Sequence, residues 1–295
     1  MAKGKSKRAP KTVLKLPDLE QSKSAVLNSL TATSSKRSYD HAIREFIDWY
    51  CSEARLAFNR AVVTRYRIAL EPHPCAPSTI NLRLAAIRRL AYEASDCGLL
   101  GPDLAAGIRR VKGVRLLGVR VGNWLTAVEG KKLLGTENAD TLGSRCNRAL
   151  LSLLIGCGLR RAELTTLRFE DLQLREGYWV IADLGGKAGH IRTIPVPEWV
   201  KEPIDSWTIG AGTNASPLLR SINKAGRIWG HGITPKVIWT IVKVNAKSSG
   251  LPTVARHDLR RTCARLCHQA GGELERIQFL LGHVSIQTTE RYLGV

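Results

Sequence analysis

Acidic and aromatic residues are both scarce in this sequence. It holds 25 Asp and Glu against 45 Lys and Arg, and only 6% of its 295 residues are Phe, Trp or Tyr. The resulting formal charge of +20 exceeds what solubility requires, and it repels itself in a compact chain unless an anionic partner balances it. Nucleic acid is the first candidate for that partner.

Long hydrophobic runs and a secretory leader are also missing. The longest apolar run, ALLSLLIGCGL at 149–159, is too short to cross a bilayer and is broken by glycines. The basic N-terminus, MAKGKSKRAPKTVLK, has no apolar region behind it and is therefore not a secretory signal. No lipidation motif or membrane-binding amphipathic helix is evident. We therefore predict a cytoplasmic, nucleoid-associated protein with no membrane partner.

The cysteines do not follow the spacing of a disulfide framework. The seven cysteines are odd in number and irregular in spacing, which fits reduced thiols better than disulfides. Cys263 and Cys267, beside His268, raise a metal-binding alternative. Their i,i+4 spacing in an apolar helix favours core packing instead, because no second Cys/His pair follows at zinc spacing. The sequence thus predicts no metal and no other cofactor.

The succession of segments predicts a mainly α protein with a small β-sheet or hairpin, divided into two domains. Residues 1–20 are Lys-rich and nearly free of acids, which predicts a disordered basic arm. Residues 21–110 predict a helical DNA-binding domain. Residues 111–124 alternate glycine, basic and single apolar residues, as in an extended linker. Residues 125–295 predict a mixed α+β domain.

Periodicity supports both halves of this division. In the N-terminal domain, one apolar stripe at helical spacing comprises Tyr39, Ile43, Phe46, Ile47 and Tyr50. In the C-terminal domain, a long helix is predicted from about Leu142 to Gly156. Further on, GYWVIAD and HIRTIPV are β-rich runs on either side of LGGKAG, which predicts a hairpin.

The stretch IGCGLRRAEL places an arginine after a glycine-rich turn. Arg160 comes close to the surface near the start of a helix, where backbone N–H groups favour an anion. Glu163, three residues on, can face the same side and orient the guanidinium group. A surface arginine beside a turn is the alternative interpretation of this stretch taken alone.

Lys187 lies at the tip of the predicted hairpin, flanked by Gly185, Gly186 and Gly189. Such a turn can enter a DNA groove. The lysine there can protonate a leaving oxygen or simply contact a phosphate.

The C-terminal 40 residues contain the remaining candidates. In RHDLRRT, His257 and Arg260 are three residues apart, which predicts that they share a helical face and converge on one phosphate. LLGHVS places His283 after a helix-ending glycine, and TTERYL supplies Tyr292. A phenolate surrounded by cations is a competent nucleophile for phosphorus. These residues, without a carboxylate cluster for Mg²⁺, predict metal-free phosphoryl transfer.

The order GLRRAEL, Gly-flanked lysine, HDLRRT, LLGH and a tyrosine nine residues later resembles the tyrosine recombinase, or phage integrase, family. The resemblance extends over nearly the whole chain, since the N-terminal helical domain is similar to the core-binding domain of that family. It implies that Arg160 and Arg260 clamp the scissile phosphate and that Lys187 is the general acid for the 5′ oxygen.

The same resemblance assigns the other positions. It implies that His257 acts as a base or orienting group, that His283 bonds a phosphate oxygen, and that Tyr292 attacks to form a 3′-phosphotyrosine. Glu163 falls at the acidic supporting position. The implied function is a site-specific DNA recombinase, metal- and ATP-independent, acting on double-stranded recombination sites as a homo-oligomer, a tetramer, with or without a partner recombinase. A type IB topoisomerase-like enzyme and a DNA-binding accessory protein without strand cleavage are the alternatives.

Overall fold

The computed structural model describes most of the chain, namely residues 13–52, 57–115, 123–137, 140–186, 190–212, 214, 216–255 and 257–294. Two compact units are present, residues 1–118 and 119–295. The described residues are mainly helical with two small antiparallel sheets, which confirms the predicted fold class. Within them, no helix is both long enough and apolar enough to span a membrane.

The N-terminal unit is a helical bundle. Its described helices are α1 (Leu16–Ser29), α2 (Thr33–Ser52), α3 (Arg60–Leu70), α4 (Pro77–Asp96) and α5 (Pro102–Arg109). Helix α4 contacts the other four, and its apolar face is buried at the centre. The predicted stripe on α2 faces this core, where the Phe46 ring lies 5.7 Å from that of Tyr50 and 5.1 Å from that of Tyr66.

Helix α1 corrects the prediction that residues 1–20 form a disordered arm. The helix begins at Leu16, and Leu14 and Leu19 are buried in the bundle core. The Lys15 amide donates to Asp18 Oδ2 at 3.0 Å, which satisfies one group at the helix start. The sequence does not reveal this helix clearly, because the apolar residues that anchor it are few and lie among lysines. Residues 1–12 of the predicted arm and 116–122 of the predicted linker lie outside the described residues.

The C-terminal unit contains eight α-helices, one short 3₁₀ helix (Phe169–Asp171) and two sheets among its described residues. In chain order the elements are α6 (Ala127–Leu134), α7 (Leu142–Gly156), α8 (Arg161–Thr166), β1 (Leu172–Arg175), β2 (Tyr178–Gly185), β3 (Ile191–Pro195), α9 (Glu198–Ala211), β4 (Ser221–Ile222), β5 (Ile228–Trp229), α10 (Pro235–Ser248), α11 (Asp258–Gln269), α12 (Leu274–Leu281) and α13 (Ile286–Leu293). Helix α7, with the bounds that the sequence predicts, is the central core helix and packs against α9 and α11.

The predicted hairpin is present as strands β2 and β3, which pair antiparallel with Ile181 opposite Ile194. Strand β1, which the sequence does not predict, pairs with the other edge of β2. The Gly186 amide donates to the His190 carbonyl at 2.7 Å and closes the described end of the hairpin. Residues 187–189, including Lys187, lie outside the described residues.

Helix α6 begins within the stretch LTAVEG at 125–130. Thr126 and Glu129 form a reciprocal cap there, with the Glu129 amide donating to Thr126 Oγ1 at 3.2 Å and the Thr126 amide to Glu129 Oε2 at 2.8 Å. This T-x-x-E pattern is a recognised signal for a helix start. Helix α9 is a further element that the sequence does not predict.

Candidate active site

Arg160 lies at the N-cap position of α8, immediately after the turn that follows α7. Gly158 in that turn has φ of +58°, a left-handed conformation that favours glycine. The Glu163 carboxylate, 4% exposed, accepts a bond from the Arg160 amide at 2.7 Å and another from Arg160 Nη1 at 2.7 Å. Glu163 therefore fixes both the backbone and the side chain of Arg160.

A third arginine, absent from the sequence-based set, completes this arrangement. Arg192 on β3 donates from Nη1 to Glu163 Oε1 at 3.0 Å and from Nη2 to Oε2 at 2.9 Å. Burial raises the pKa of Glu163, but the hydrogen bonds from Arg192 and Arg160 outweigh it and lower the pKa overall. The carboxylate is thus ionised at neutral pH and bound to two guanidinium groups.

Arg260 is the most buried cation of the set, at 3% exposed. It points from the first turn of α11 and donates from Nη1 to the Gly158 carbonyl and from Nη2 to the Leu281 carbonyl. Burial, with Arg160 as the next cause, lowers its pKa to about 10. Arg260 therefore remains charged at neutral pH while it lies close to a second positive group.

The C-terminal end of α12 anchors all three arginines. Arg192 Nε donates to the Leu280 carbonyl at 3.1 Å, Arg260 to that of Leu281, and Arg160 Nη2 to that of Gly282 at 3.0 Å. The last carbonyls of a helix lack intrahelical partners and carry its partial negative charge. The LLGH segment thus supplies consecutive main-chain acceptors to three guanidinium groups.

His283 follows directly from this helix end and lies half-buried beside the cations. Its Nδ1 is 3.0 Å from the hydroxyl of the buried Thr289, and its carbonyl accepts from Gln278 Nε2 at 3.0 Å. Burial lowers the pKa of His283 to about 4, with further lowering by Arg260, Arg160 and Arg192. The imidazole is therefore neutral at physiological pH.

Tyr292 lies near the end of α13, with its ring against that of His283. The ring centres are 4.7 Å apart in an edge-to-face arrangement, and the Arg261 Cζ atom lies 5.1 Å from the centre of the tyrosine ring. Arg265 Nη1 donates to the Leu293 carbonyl at 2.6 Å. A small separate core holds this helix, formed by Ala264, Ile277, Leu281 and Leu293.

His257 occupies the position just before α11 rather than sharing a helical face with Arg260. It is exposed at the N-cap, whereas Arg260 is buried one turn into the helix. Both residues nevertheless line a cavity of about 30 Å³ together with Arg160. Trp239 of α10, another residue that the sequence reasoning missed, forms part of the same wall.

The structure thus brings Arg160, Arg260, His257, His283 and Tyr292 into one region. Lys187 lies outside the described residues, but the base of its hairpin is close to this region. A Cβ atom placed on Gly186 would lie 3.2 Å from Arg192 Nη1 and 3.7 Å from Arg160 Nη1.

The cysteine pair weighed as an alternative metal site lies on α11, on the C-terminal side of Arg260. Cys263 is buried, and its Sγ contacts the Gly156 carbonyl at 3.4 Å, while Cys267 packs at the edge of the α13 core. Among the residues that the structure describes, no three His, Cys, Asp or Glu side chains lie close enough to hold a metal ion. The absence of a metal from the reaction stays a prediction.

Comparison with known proteins gives this arrangement a family. Residues 123–295 match the model of the phage integrase family. The chain belongs to this family. Tyrosine recombinase XerC of Pseudomonas putida is 30% identical over 247 residues, covering 82% of this chain and 79% of that protein.

An archaeal member of the family is also similar. Tyrosine recombinase XerA of Pyrococcus furiosus is 34% identical over 175 residues, covering 58% of this chain. That match spans 57% of the P. furiosus protein, and the match to the Pyrococcus horikoshii protein of the same name spans 56% of it.

Solved structures of an integrase and a recombinase share the fold. A lambda integrase dimer bound to a COC′ core site matches with a TM-score of 0.71 at 16% identity, covering 96% of this chain and 78% of that chain. The XerH recombinase bound to a palindromic difH substrate matches with a TM-score of 0.69 at 17% identity, covering 96% and 86%.

Chemically, the site of this phage integrase family member can stabilise an anion. Three guanidinium groups face one buried carboxylate, so this group carries a net charge of +2. Fixed cations in a partly buried pocket stabilise charge that develops on a phosphate without reorganisation. The Tyr292 ring lies against His283 beside this group.

Proposed function

We propose that this chain is a site-specific DNA recombinase, or integrase, that cleaves and rejoins strands through a 3′-phosphotyrosine at Tyr292. The observation that carries the proposal is the packing of the Tyr292 ring on His283, 4.7 Å away, beside the cluster of Arg160, Arg260 and Arg192. A nucleophile, a neutral hydrogen-bonding group and a preorganised anion site suffice for transesterification at phosphorus.

In the proposed reaction, Arg160 and Arg260 bind the non-bridging oxygens of the scissile phosphate. The Tyr292 oxygen forms a bond to phosphorus, and the bond from phosphorus to the 5′ oxygen breaks. His257 accepts or orients the phenolic proton, and Lys187 donates a proton to the departing 5′ oxygen. Rejoining is the reverse attack by a 5′ hydroxyl, so the bond energy is conserved and neither ATP nor a metal ion is needed.

His283 has a distinct part in this scheme. Because it is neutral, its two ring nitrogens differ, and Nδ1 lies 3.0 Å from the Thr289 hydroxyl, which can either donate or accept. In the proposed tautomer the hydroxyl donates to Nδ1, and the hydrogen on Nε2 is donated to a phosphate oxygen. Thr289 then orients the imidazole ring, as hydrogen-bond partners of functional histidines commonly do.

The proposed partner is double-stranded DNA that carries recombination sites, with the protein assembled on it as a homo-oligomer, a tetramer, alone or with a partner recombinase. The charge of +20 supports a nucleic-acid partner. The lambda integrase and XerH structures contain DNA, and the former is a dimer. Nucleoid association in the cytoplasm is the corresponding location.

The test first needs a DNA target, which is obtained by selecting tight binders from a random duplex pool with Tyr292→Phe protein. Selected duplexes, nicked near the cleavage point so that the released fragment diffuses away, are then incubated with wild-type protein in excess EDTA. We expect a covalent adduct on denaturing gels for the wild type and none for Tyr292→Phe, which still binds. An adduct from the Phe variant would remove Tyr292 from the mechanism.

The same assay addresses the alternatives. Binding without any wild-type adduct would favour an accessory DNA-binding protein. Relaxation of supercoiled plasmid by monomeric protein, without exchange between sites, would favour a topoisomerase-like enzyme. An adduct that requires Mg²⁺ would contradict the metal-free chemistry.

A further inference from the structure

Glu163 is shared unequally between two arginines. Arg192 contacts both carboxylate oxygens with its two terminal nitrogens, at 3.0 and 2.9 Å. Arg160 contacts the carboxylate with only one side-chain nitrogen, Nη1, at 2.7 Å, and its other terminal nitrogen donates to the Gly282 carbonyl. The acid therefore forms a fork-to-fork pair with Arg192 and a single side-chain bond with Arg160.

The difference between the two arginines matters because a pair with two parallel bonds, as Arg192 forms, is favoured over a single bond. A carboxylate and a guanidinium group tend to form two parallel bonds, which are short and strong. Arg192 is 9% exposed and is committed to that geometry, whereas Arg160 is 29% exposed and keeps an open side towards the pocket. Because Arg192 contacts both oxygens, Arg160 does not form a two-bond pair with Glu163.

We propose that Arg192 is a positioning residue for DNA cleavage, which holds Glu163 so that this acid orients Arg160 without capturing it. The inference rests on the proposed function, in which Arg160 binds the scissile phosphate. Without Arg192, each oxygen of Glu163 loses one donor while Oε2 keeps the Arg160 amide, and the Arg160 side chain turns onto the vacated acceptor positions to form the paired arrangement. Its guanidinium group is then neutralised and rotated out of the pocket.

The proposal predicts a specific interaction between two substitutions. Arg192→Gln removes the competing fork and exposes Arg160 to capture. Adding Glu163→Gln removes the charge that would capture it, since an amide attracts a guanidinium group far less strongly than a carboxylate does. A second substitution in the same buried cluster should therefore restore activity that the first one removes.

The experiment compares Arg192→Gln, Glu163→Gln and the double variant in single-turnover adduct formation on the nicked substrate. We expect Arg192→Gln to react roughly 100-fold more slowly than wild type, as when a group that stabilises the transition state is lost. The double variant should react at least roughly tenfold faster than Arg192→Gln. DNA affinity is measured separately, and near-UV circular dichroism verifies that each variant is folded.

Arg276→Gln is the matched control. Arg276 lines the same surface cavity as Arg192, but it is 80% exposed and pairs with Glu273 at 2.8 Å. Its substitution should leave the adduct rate unchanged. If Arg192→Gln does not fold, Arg192→Lys replaces it, since a lysine keeps the charge but cannot span both oxygens; that variant should be several-fold slower, with rescue by Glu163→Gln.

Each outcome supports or overturns the assignment. A wild-type rate in Arg192→Gln overturns it, and so does a double variant no faster than Arg192→Gln, because a purely structural role predicts that the two defects accumulate. Failure of the wild-type protein to form any adduct would instead reject the proposed function. The two failures are therefore distinguishable.

Discussion

The protonation of His283 depends on its burial and on the cationic pocket beside it. Its pKa of about 4 lies below the usual 6.5 because burial and three arginines oppose a further positive charge. Folding therefore disfavours protonation of this residue. Between these two values the unfolded chain binds more protons than the folded one, so the His283 contribution to stability declines as the pH falls from about 6.5 towards 4.

Replacing His283 with glutamine should flatten this dependence. Glutamine does not titrate, so the free energy of unfolding of His283→Gln should fall less than that of wild type between pH 7 and pH 4.5. Urea unfolding at four or five pH values measures both slopes. Identical slopes would show that the imidazole is not held neutral.

Lys187 lies outside the described residues, so its proposed role as general acid needs a chemical test. If Lys187 protonates the 5′ oxygen, Lys187→Ala should cleave a normal nicked substrate roughly 10²- to 10⁴-fold more slowly than wild type. A substrate with sulfur in place of that oxygen needs no proton donor, so the variant should recover on it. Arg160→Ala supplies the control, because loss of charge stabilisation should keep it slow on both substrates. Without recovery, Lys187 is only a phosphate contact, and His257 becomes the candidate acid.

At the scale of elements, the turn from α12 into His283 depends on Gly282. Its φ is +59°, and a Cβ atom there would lie 3.0 Å from Cδ and 3.2 Å from Nη1 of Arg192. Gly282→Ala should therefore cost roughly 1–2 kcal/mol of backbone strain and also displace Arg192. We expect adduct formation to slow by up to roughly tenfold, because Arg192 must shift by a few tenths of an ångström and a displacement of about 1 Å costs about 100-fold.

Gly212 offers a matched comparison for this substitution. It also ends a helix, α9, with φ of +58°, but a Cβ atom there would have no neighbour within 4 Å. Gly212→Ala should show a similar loss of stability in thermal unfolding with an unchanged adduct rate. Equal rate losses in the two variants would indicate that strain, rather than contact with Arg192, slows the reaction.

Elements with strong local signals could be predicted from the sequence. Helix α7 has a long, mostly apolar run that ends at a glycine turn, and the β2–β3 hairpin has β-rich runs around glycines. Helix α1 was missed because lysines surround its few buried residues. Composition alone cannot distinguish a basic arm from a basic helix whose opposite face is anchored in a core.

The contacts within the candidate site are likewise only partly predictable from the sequence. Arg160, Arg260, His283 and Tyr292 lie in motifs that local chemistry and a family resemblance identify. Arg192 lies in a short strand with no comparable signal, and its partner Glu163 is 29 residues away. Only the tertiary fold brings Arg192 and Glu163 together, so the sequence could not predict that two arginines bind this carboxylate.

For the whole molecule, the excess positive charge predicts salt-dependent binding. Log K should fall by about 0.9 per phosphate contact for each unit of log salt concentration. Residues 2–12 contain five Lys or Arg, so their deletion should reduce that slope by up to about 4.5 without changing the selected site. Filter-binding titrations at several salt concentrations measure the slope, and an unchanged slope would show that this segment does not contact DNA.

The position of the deletion matters because of helix α1. Removal of residues 2–20 would also delete Leu14 and Leu19, which are buried in the N-terminal unit. Each such loss costs roughly 2–5 kcal/mol in a well-packed core. The longer deletion should therefore lower the unfolding temperature as well as the salt slope, whereas the shorter one should change the slope alone.

The three arginines bind main-chain oxygens at the end of α12, and mutation cannot delete main-chain oxygens. Exchanging the side chain at 280, or at the exposed Phe279, leaves those acceptors where they are as long as the helix ends at the same residue. Tolerance to substitution in this stretch should therefore follow helix geometry and the buried positions Ile277 and Leu281. An active site that requires arginine at three positions can thus lie beside a helix whose outward-facing residues tolerate substitution.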